Sequence, residues 1–239
     1  MPILIEGGIQ IGEGVLIANG SIPTPTTPTH AYWAFDPNNI GQNLGLYNTS
    51  ITNGGVEATS PEQSMVLGKL ENNESMHDMG SGGRIMFTIY HQTEDTGDIP
   101  LDLAAVGVAN YSADLSAALG IDANSIGYFQ HGELVYSNAQ IATGLPTFVP
   151  GDYIDFAIKI LSGGGVHVWV RVNGGNWNGN PSADPAADTN YIYAGLDGEG
   201  AAGDPNAIYP AASPGAYNYI DAMEISQVTY NIPSGFYAL

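Results

Sequence analysis

The sequence predicts an all-β protein, an antiparallel β-sandwich preceded by a short β-rich segment. Two observations predict it. The 239 residues include 32 Gly, 15 Pro and 14 Tyr, a usage that favours strands joined by tight turns. The segments 153–161 and 166–173 also alternate apolar and polar residues with a period of two, across the Gly163-Gly164-Gly165 loop. Period-two alternation on both arms of a glycine turn is the pattern of an antiparallel hairpin half-buried in a sheet.

The chain opens with ILIEGGIQIGEGVLI, in which Ile3, Ile5, Ile9, Ile11, Val15 and Ile17 alternate with polar residues or Gly. Strands this short cannot bury an apolar face alone. Residues 1–20 are therefore expected to act as an anchoring and oligomerisation segment. Ile3, Ile5, Ile9, Ile11 and Ile17 would be the contact residues, and a trimer the favoured state. Residues 21–29 contain three prolines interleaved with Thr and are expected to be a semi-rigid extended linker. The sandwich itself is expected over 30–239.

Candidate strands follow at sandwich spacing: 31–35, 43–48, 64–70, 84–91, 104–111, 126–130, 133–136, 153–161, 166–173, 191–194 and 219–230. The first hairpin should turn at His131-Gly132. Pro150-Gly151-Asp152 should open the longest alternating strand. On it Ile154, Phe156, Ile158 and Ile160 share the face expected to meet the core, joined by Val168 and Val170, with Phe87 and Ile89 nearby. On the next strand His167, Trp169 and Arg171 share the face opposite the valines. One helix is expected over Ser112 to Leu119, with Ser112 as N-cap and Gly120 as C-cap.

Charge restricts function. Lys69, Arg84, Lys159 and Arg171 are the only basic residues, against 24 Asp and Glu, for a net charge of −20. Nucleic-acid binding needs clustered cations to displace counterions from phosphate. An anionic membrane surface would repel such a chain. No Cys is present, so disulfides and thiolate metal sites are excluded. The N-terminus has no positively charged n-region, and no run reaches the ~20 apolar residues of a membrane helix. The expected product is soluble and carries no signal peptide.

The run Trp169 to Asp188, with VNGGNWNGNPSADPAADT as its distinctive part, resembles SPRY domains, sandwiches of the concanavalin-A-like class. Gly127-Tyr128, Gly132, Tyr136 and Pro150-Gly151-Asp152 add to the likeness. The match is to a branch common in bacteriophage virion proteins, and PSGFYAL, Pro233 to Leu239, resembles their closing strand. Where those domains continue with a Gly pair, this chain has Asn190-Tyr191. The resemblance implies a SPRY-like jelly roll in a virion structural protein, as a tail-fibre or baseplate component or a head decoration. It further implies a binding rather than catalytic role, other virion proteins as partners, a host surface glycan or protein as a target, and synthesis in the host cytoplasm. The alternative is a carbohydrate-active domain of the same fold.

Candidate sites are sparse. The five His show no metal-ligand spacing, and His167 reads most plainly as a sheet-face residue. Glycosidases of this fold use paired carboxylates. The strand-borne pairs here, Asp152 with Asp155 and Asp221 with Glu224, lack the expected spacing, and Asp152 is explained by its turn. Asp197, Glu199 and Asp204 lie in a Gly-rich loop suited to Ca²⁺, though it does not match an EF-hand. Trp177, Tyr191, Tyr193, Tyr209, Tyr217 and Tyr219 form an aromatic set in the later loops. Trp177, Asn178, Tyr191 and Tyr193 are the candidate binding surface, with Trp177 equally a plug for one end of the sandwich.

Deleting residues 1–20 tests the anchor. The remaining sandwich should stay folded but lose oligomerisation, as read by light scattering and circular dichroism. A monomeric full-length chain combined with an unfolded truncation would overturn it.

Overall fold

The computed structural model describes the backbone at 34–40, 50–52, 57–60, 66–69, 83–94, 104–110, 112–114, 116–198, 208–213, 221–226 and 230–238. Side chains are described over 83–91, 104–110, 112–114, 116–198, 208–213 and 230–238. The Ile-rich segment 1–20, the linker 21–29 and the expected strand 43–48 lie outside these residues.

Two sheets pack face to face. The first has the order β1-β4-β13-β6-β7-β8-β9. Its strands are β1 (Ala34–Ile40), β4 (Val66–Lys69), β6 (Ala105–Asn110), β7 (Ser125–Phe129), β8 (Glu133–Tyr136), β9 (Ala139–Ala142) and β13 (Ile208–Ser213). The second has the order β12-β11-β10-β5-β14-β3-β2. Its strands are β2 (Ser50–Thr52), β3 (Glu57–Ser60), β5 (Arg84–Glu94), β10 (Tyr153–Ile160), β11 (Val166–Val172), β12 (Ile192–Ala194) and β14 (Asp221–Ser226). A closing strand, β15 (Tyr237–Ala238), runs parallel to β5 at Ile85 and Met86. The other pairings are antiparallel, and β10 meets β11 from Ile154↔Val172 to Ile160↔Val166, the hairpin the alternation predicts.

The core lies between the sheets. Ile85, Phe87 and Ile89 of β5, Ile154, Phe156 and Ile158 of β10, and Val168 and Val170 of β11 are fully buried. They face Val106, Val108, Ile126, Tyr128 and Leu134 of the other sheet. Phe87 and Phe156, opposite one another in the β5–β10 register, stack with ring centroids 5.1 Å apart. Tyr128 meets Phe156 edge-on, and its hydroxyl donates to the Pro146 carbonyl. Burial pushes that hydroxyl's pKa far above the usual tyrosine value.

The helix expected over 112–119 does not form; its described residues make a succession of turns. Side-chain oxygens hold amides along the segment, including that of Ser116, which a helix would bond to Ser112, and Ala117 N–H closes a tighter turn on the Asp114 carbonyl. Ser112 N–H donates to Asn110 Oδ1, Asp114 N–H to Asp122 Oδ2, and Ser116 N–H to Asp114 Oδ1. Short polar side chains compete in this way with helical hydrogen bonds. The segment instead packs down on β7: a Cβ added at Gly127 would sit 2.6 Å from the Leu119 carbonyl oxygen.

Strands β2, β3, β9 and β13 fall outside the expected set. β9 continues β8 through Ser137-Asn138, both with positive φ, the geometry of a two-residue hairpin turn. β13 contains Pro210, which argues against an inner strand. The objection fails because β4 pairs with β13 only at Ala211 and Ala212.

Phe156→Ala should cost about 3–5 kcal/mol, the usual range for a fully packed aromatic. A loss below about 1 kcal/mol in chemical denaturation would mean that the two rings do not anchor the core.

Candidate binding face

Strands β5, β10 and β11 of the second sheet are buried on both sides, which sets the chemistry of its outer face there. On β5, β10 and β11 the residues pointing away from the core are also covered: Met86, Ala157 and Trp169 are fully buried and cluster with Trp177, Ala183 and Phe236. The cover is the loop between β11 and β12, joined by the C-terminal segment.

Beneath it lies an ion pair. Asp155 of β10 and Arg171 of β11 stand opposite one another in register. Arg171 Nε donates to Asp155 Oδ2 at 2.7 Å, and Thr88 Oγ1 donates to Asp155 Oδ1 at 2.6 Å. Arg171 Nη2 reaches the Asn231 carbonyl at 2.9 Å, and the guanidinium lies 4.2 Å from the Trp177 ring centroid. Asp155 is 0 % exposed. Burial raises its carboxyl pKa above the ordinary value, and the bonds from Thr88 and Arg171 oppose that rise.

The loop sequence suits its path. Asn173, Asn178, Asp188 and Asn190 all have positive φ, which Asn and Asp tolerate better than other non-glycine residues. A single 3-10 turn, Trp177–Gly179, presses Trp177 inward. Asn178 then bridges both sides: its Oδ1 accepts from Val170 N–H and its Nδ2 donates to the Asn190 carbonyl. Trp169 Nε1 donates to the Thr189 carbonyl, and Arg84 Nη1 to the Ala186 carbonyl.

The loop ends in a latch. Asp188 bonds Lys159 through one oxygen and His167 Nδ1 through the other, the latter at 2.7 Å. Desolvation works against the charged carboxylate, but the contacts with Lys159 and His167 prevail and hold its pKa below the ordinary range. Tyr191 stacks flat on His167, centroids 3.4 Å apart and planes within 7°. Tyr193 stands opposite His167 in the β11–β12 register, and its ring lies over Gly165. Tyr191, 43 % exposed, immediately precedes β12, the edge strand of its sheet, and Tyr193, 56 % exposed, lies on it.

The structure therefore divides the expected binding residues. Tyr191 and Tyr193 are brought together on an exposed edge. Trp177, 8 % exposed, lies beneath the loop against Arg171, and both polar ends of the Asn178 amide are engaged within the protein. Tyr209 is buried, while Tyr217 and Tyr219 lie outside the described residues. Asp197 is exposed, whereas Glu199 and Asp204 lie outside the described residues. Among the described residues, no three His, Asp or Glu side chains converge on a metal position. Of the carboxylate pairs, Asp152 is tied into its turn, accepting from Val149 N–H and Asn173 Nδ2, and Asp155 is sealed in the ion pair. The side chains of Asp221 and Glu224 are outside those described.

Sequence reasoning missed the Asp188 latch. Half of it was within reach, because the glycine loop already sets Lys159 opposite His167. Nothing in the pattern shows a loop residue returning to bridge them.

This architecture is that of a SPRY/concanavalin-A-like sandwich. The SPRY domain of human HERC1 superposes with a TM-score of 0.54 at 16% identity, covering 82% of this chain and 99% of that one. The PSpry domain of TRIM65 overlaps more loosely, with a TM-score of 0.45 at 9% identity over 82% of this chain and 92% of that one. No protein-family profile and no curated protein sequence matches the chain. At these identities the likeness is one of fold.

Two predictions follow from the covered face. Arg171→Ala leaves a buried carboxylate without its cation and should cost about 3–5 kcal/mol at neutral pH. Because the Asp155 carboxyl is raised, its ionised form is the costly one. The loss should therefore shrink as pH falls toward the unfolded carboxylate value near 4; a pH-independent loss in urea titrations would refute this origin. Asp188 carries the opposite sign. Its contribution is present above pH ~4 and is lost as pH falls through its lowered folded value. Asp188→Asn should thus shift the Trp169 indole N–H resonance at neutral pH much as acid does in the wild type. An unmoved resonance would show that Asp188 does not hold the loop.

Proposed function

We propose that this chain is a non-catalytic recognition domain whose contact surface is the Tyr191–Tyr193 edge of the second sheet. The observation that carries it is the pair of exposed rings at the start of the edge strand, Tyr191 just before β12 and stacked on the latched His167, and Tyr193 within β12 opposite His167. Large, rigid aromatic side chains give contact area at low conformational cost. Of the two strand-borne carboxylate pairs, Asp152 with Asp155 is engaged within the protein, which supports a binding role over a hydrolytic one for that pair.

The setting we propose is a bacteriophage particle, with the chain as a fibre, baseplate or head-decoration component. Its support is the resemblance of Trp169–Asp188 and Pro233–Leu239 to virion domains, together with the Ile-rich leader as an attachment segment. In that setting the sandwich contacts the host surface or a neighbouring virion protein.

Tyr191→Ser/Tyr193→Ser should abolish attachment to the cognate surface in a cell-adsorption or particle-assembly assay. The double variant should stay folded, at a cost of about 1–2 kcal/mol for the lost ring contacts. Full attachment by a folded double variant would overturn the contact surface. Serum raised against the chain should label purified particles; unlabelled particles would overturn the setting.

A further inference from the structure

The contact face proposed above can be given a chemistry, and the inference rests on that reading. We propose that Tyr191 and Tyr193 receive a cationic segment of a partner polypeptide, with Arg or Lys side chains laid against the rings.

The argument begins with which groups remain available. A sugar is held by an aromatic platform together with amides or carboxylates that meet its hydroxyls. Beside these rings the amides are already engaged. Asn178 is bonded through both Oδ1 and Nδ2, and Asn190 Nδ2 donates to the Ser182 carbonyl at 2.7 Å. The Asp188 oxygens are taken by Lys159 and His167. What this edge presents is ring surface.

Charge selects the partner. Every basic side chain among the described residues is engaged inside the protein: Arg171 with Asp155, Lys159 with Asp188, and Arg84 with the carbonyls of Pro185 and Ala186. The chain as a whole carries −20. A field of that sign attracts and orients cationic partners over a Debye length and repels anionic ones.

The electron-rich faces of tyrosine rings attract ammonium and guanidinium groups. Tyr191 stacks on His167 through one face and meets Trp169 edge-on, and the residue remains 43 % exposed. The interior already uses this chemistry, with Arg171 over Trp177 at 4.2 Å and Arg84 over Phe236 at 5.7 Å. A second copy of this chain is a poor donor, because its described cations are engaged in the same way.

The test is fluorescence titration of the full chain with an Arg-rich decapeptide and with neutral oligosaccharides, alongside Tyr191→Ser/Tyr193→Ser. The double variant keeps the net charge, so it separates ring recognition from general attraction of a polycation. Expected is salt-sensitive peptide binding by the wild type and a loss of about tenfold in the double variant, two exposed ring contacts' worth. Equal peptide affinity in the two proteins overturns the proposal, as does oligosaccharide binding that the double variant loses. If the variant loses attachment to its native surface while its peptide affinity is unchanged, the contact face stands and the cationic chemistry falls. If neither changes, both fall.

Discussion

A buried guanidinium organises this molecule. Arg171 sits on a strand in the middle of a sheet, and its charge can be kept out of water only if it has an opposite charge and further acceptors. Asp155 on the adjacent strand supplies the charge, the Asn231 carbonyl supplies an acceptor from the C-terminal segment, and the Trp177 ring covers the exposed face of the cation. Thr88 on β5 meets the remaining carboxylate oxygen. Five separate stretches of chain are thereby tied to one ion pair. Its contribution is better understood as specificity than as raw stability, since burying charge is costly and only this arrangement of the loop and C-terminal segment offsets that cost.

The covering loop is an extension of the same constraint. To press Trp177 inward and still return to the sheet edge, the chain must take left-handed turns, and Asn and Asp occupy those positions at 173, 178, 188 and 190. Once turned, their side chains bond the backbone they have folded over. Asn178 joins the β11 amide of Val170 to the far side of the loop. Asp188 ends the loop on Lys159 and His167, and the chain then enters β12 with Tyr191 already stacked. The exposed rings are thus held by a polar framework with little freedom to rearrange. Such pre-organisation reduces the entropy lost on binding.

Much of the sandwich was legible in the sequence. Alternation over 153–161 and 166–173 placed β10, β11 and their shared core residues, because a period of two assigns faces without reference to the rest of the chain. Less was legible where local rules competed. Residues 112–119 have a capped helical pattern, yet the Ser116 amide goes to the Asp114 side chain and the Ala117 amide to the Asp114 carbonyl. Pro210 hides β13, and Met86 lies in a strand buried on both faces, for which alternation carries no information.

The sequence by itself determined the class of fold, the β10–β11 hairpin, and a net charge of −20. These depend on composition and on spacings of a few residues. Only the tertiary structure decided which aromatic residues are surface and which are core. Trp177 and Tyr191 stand fourteen positions apart in one Asn-rich run and look alike as candidates. One covers a buried arginine while the other lies open just before an edge strand. That difference is set by contacts from Arg171, Lys159 and His167, which approach the loop from the sheet beneath it and leave no periodic trace in the loop's own residues.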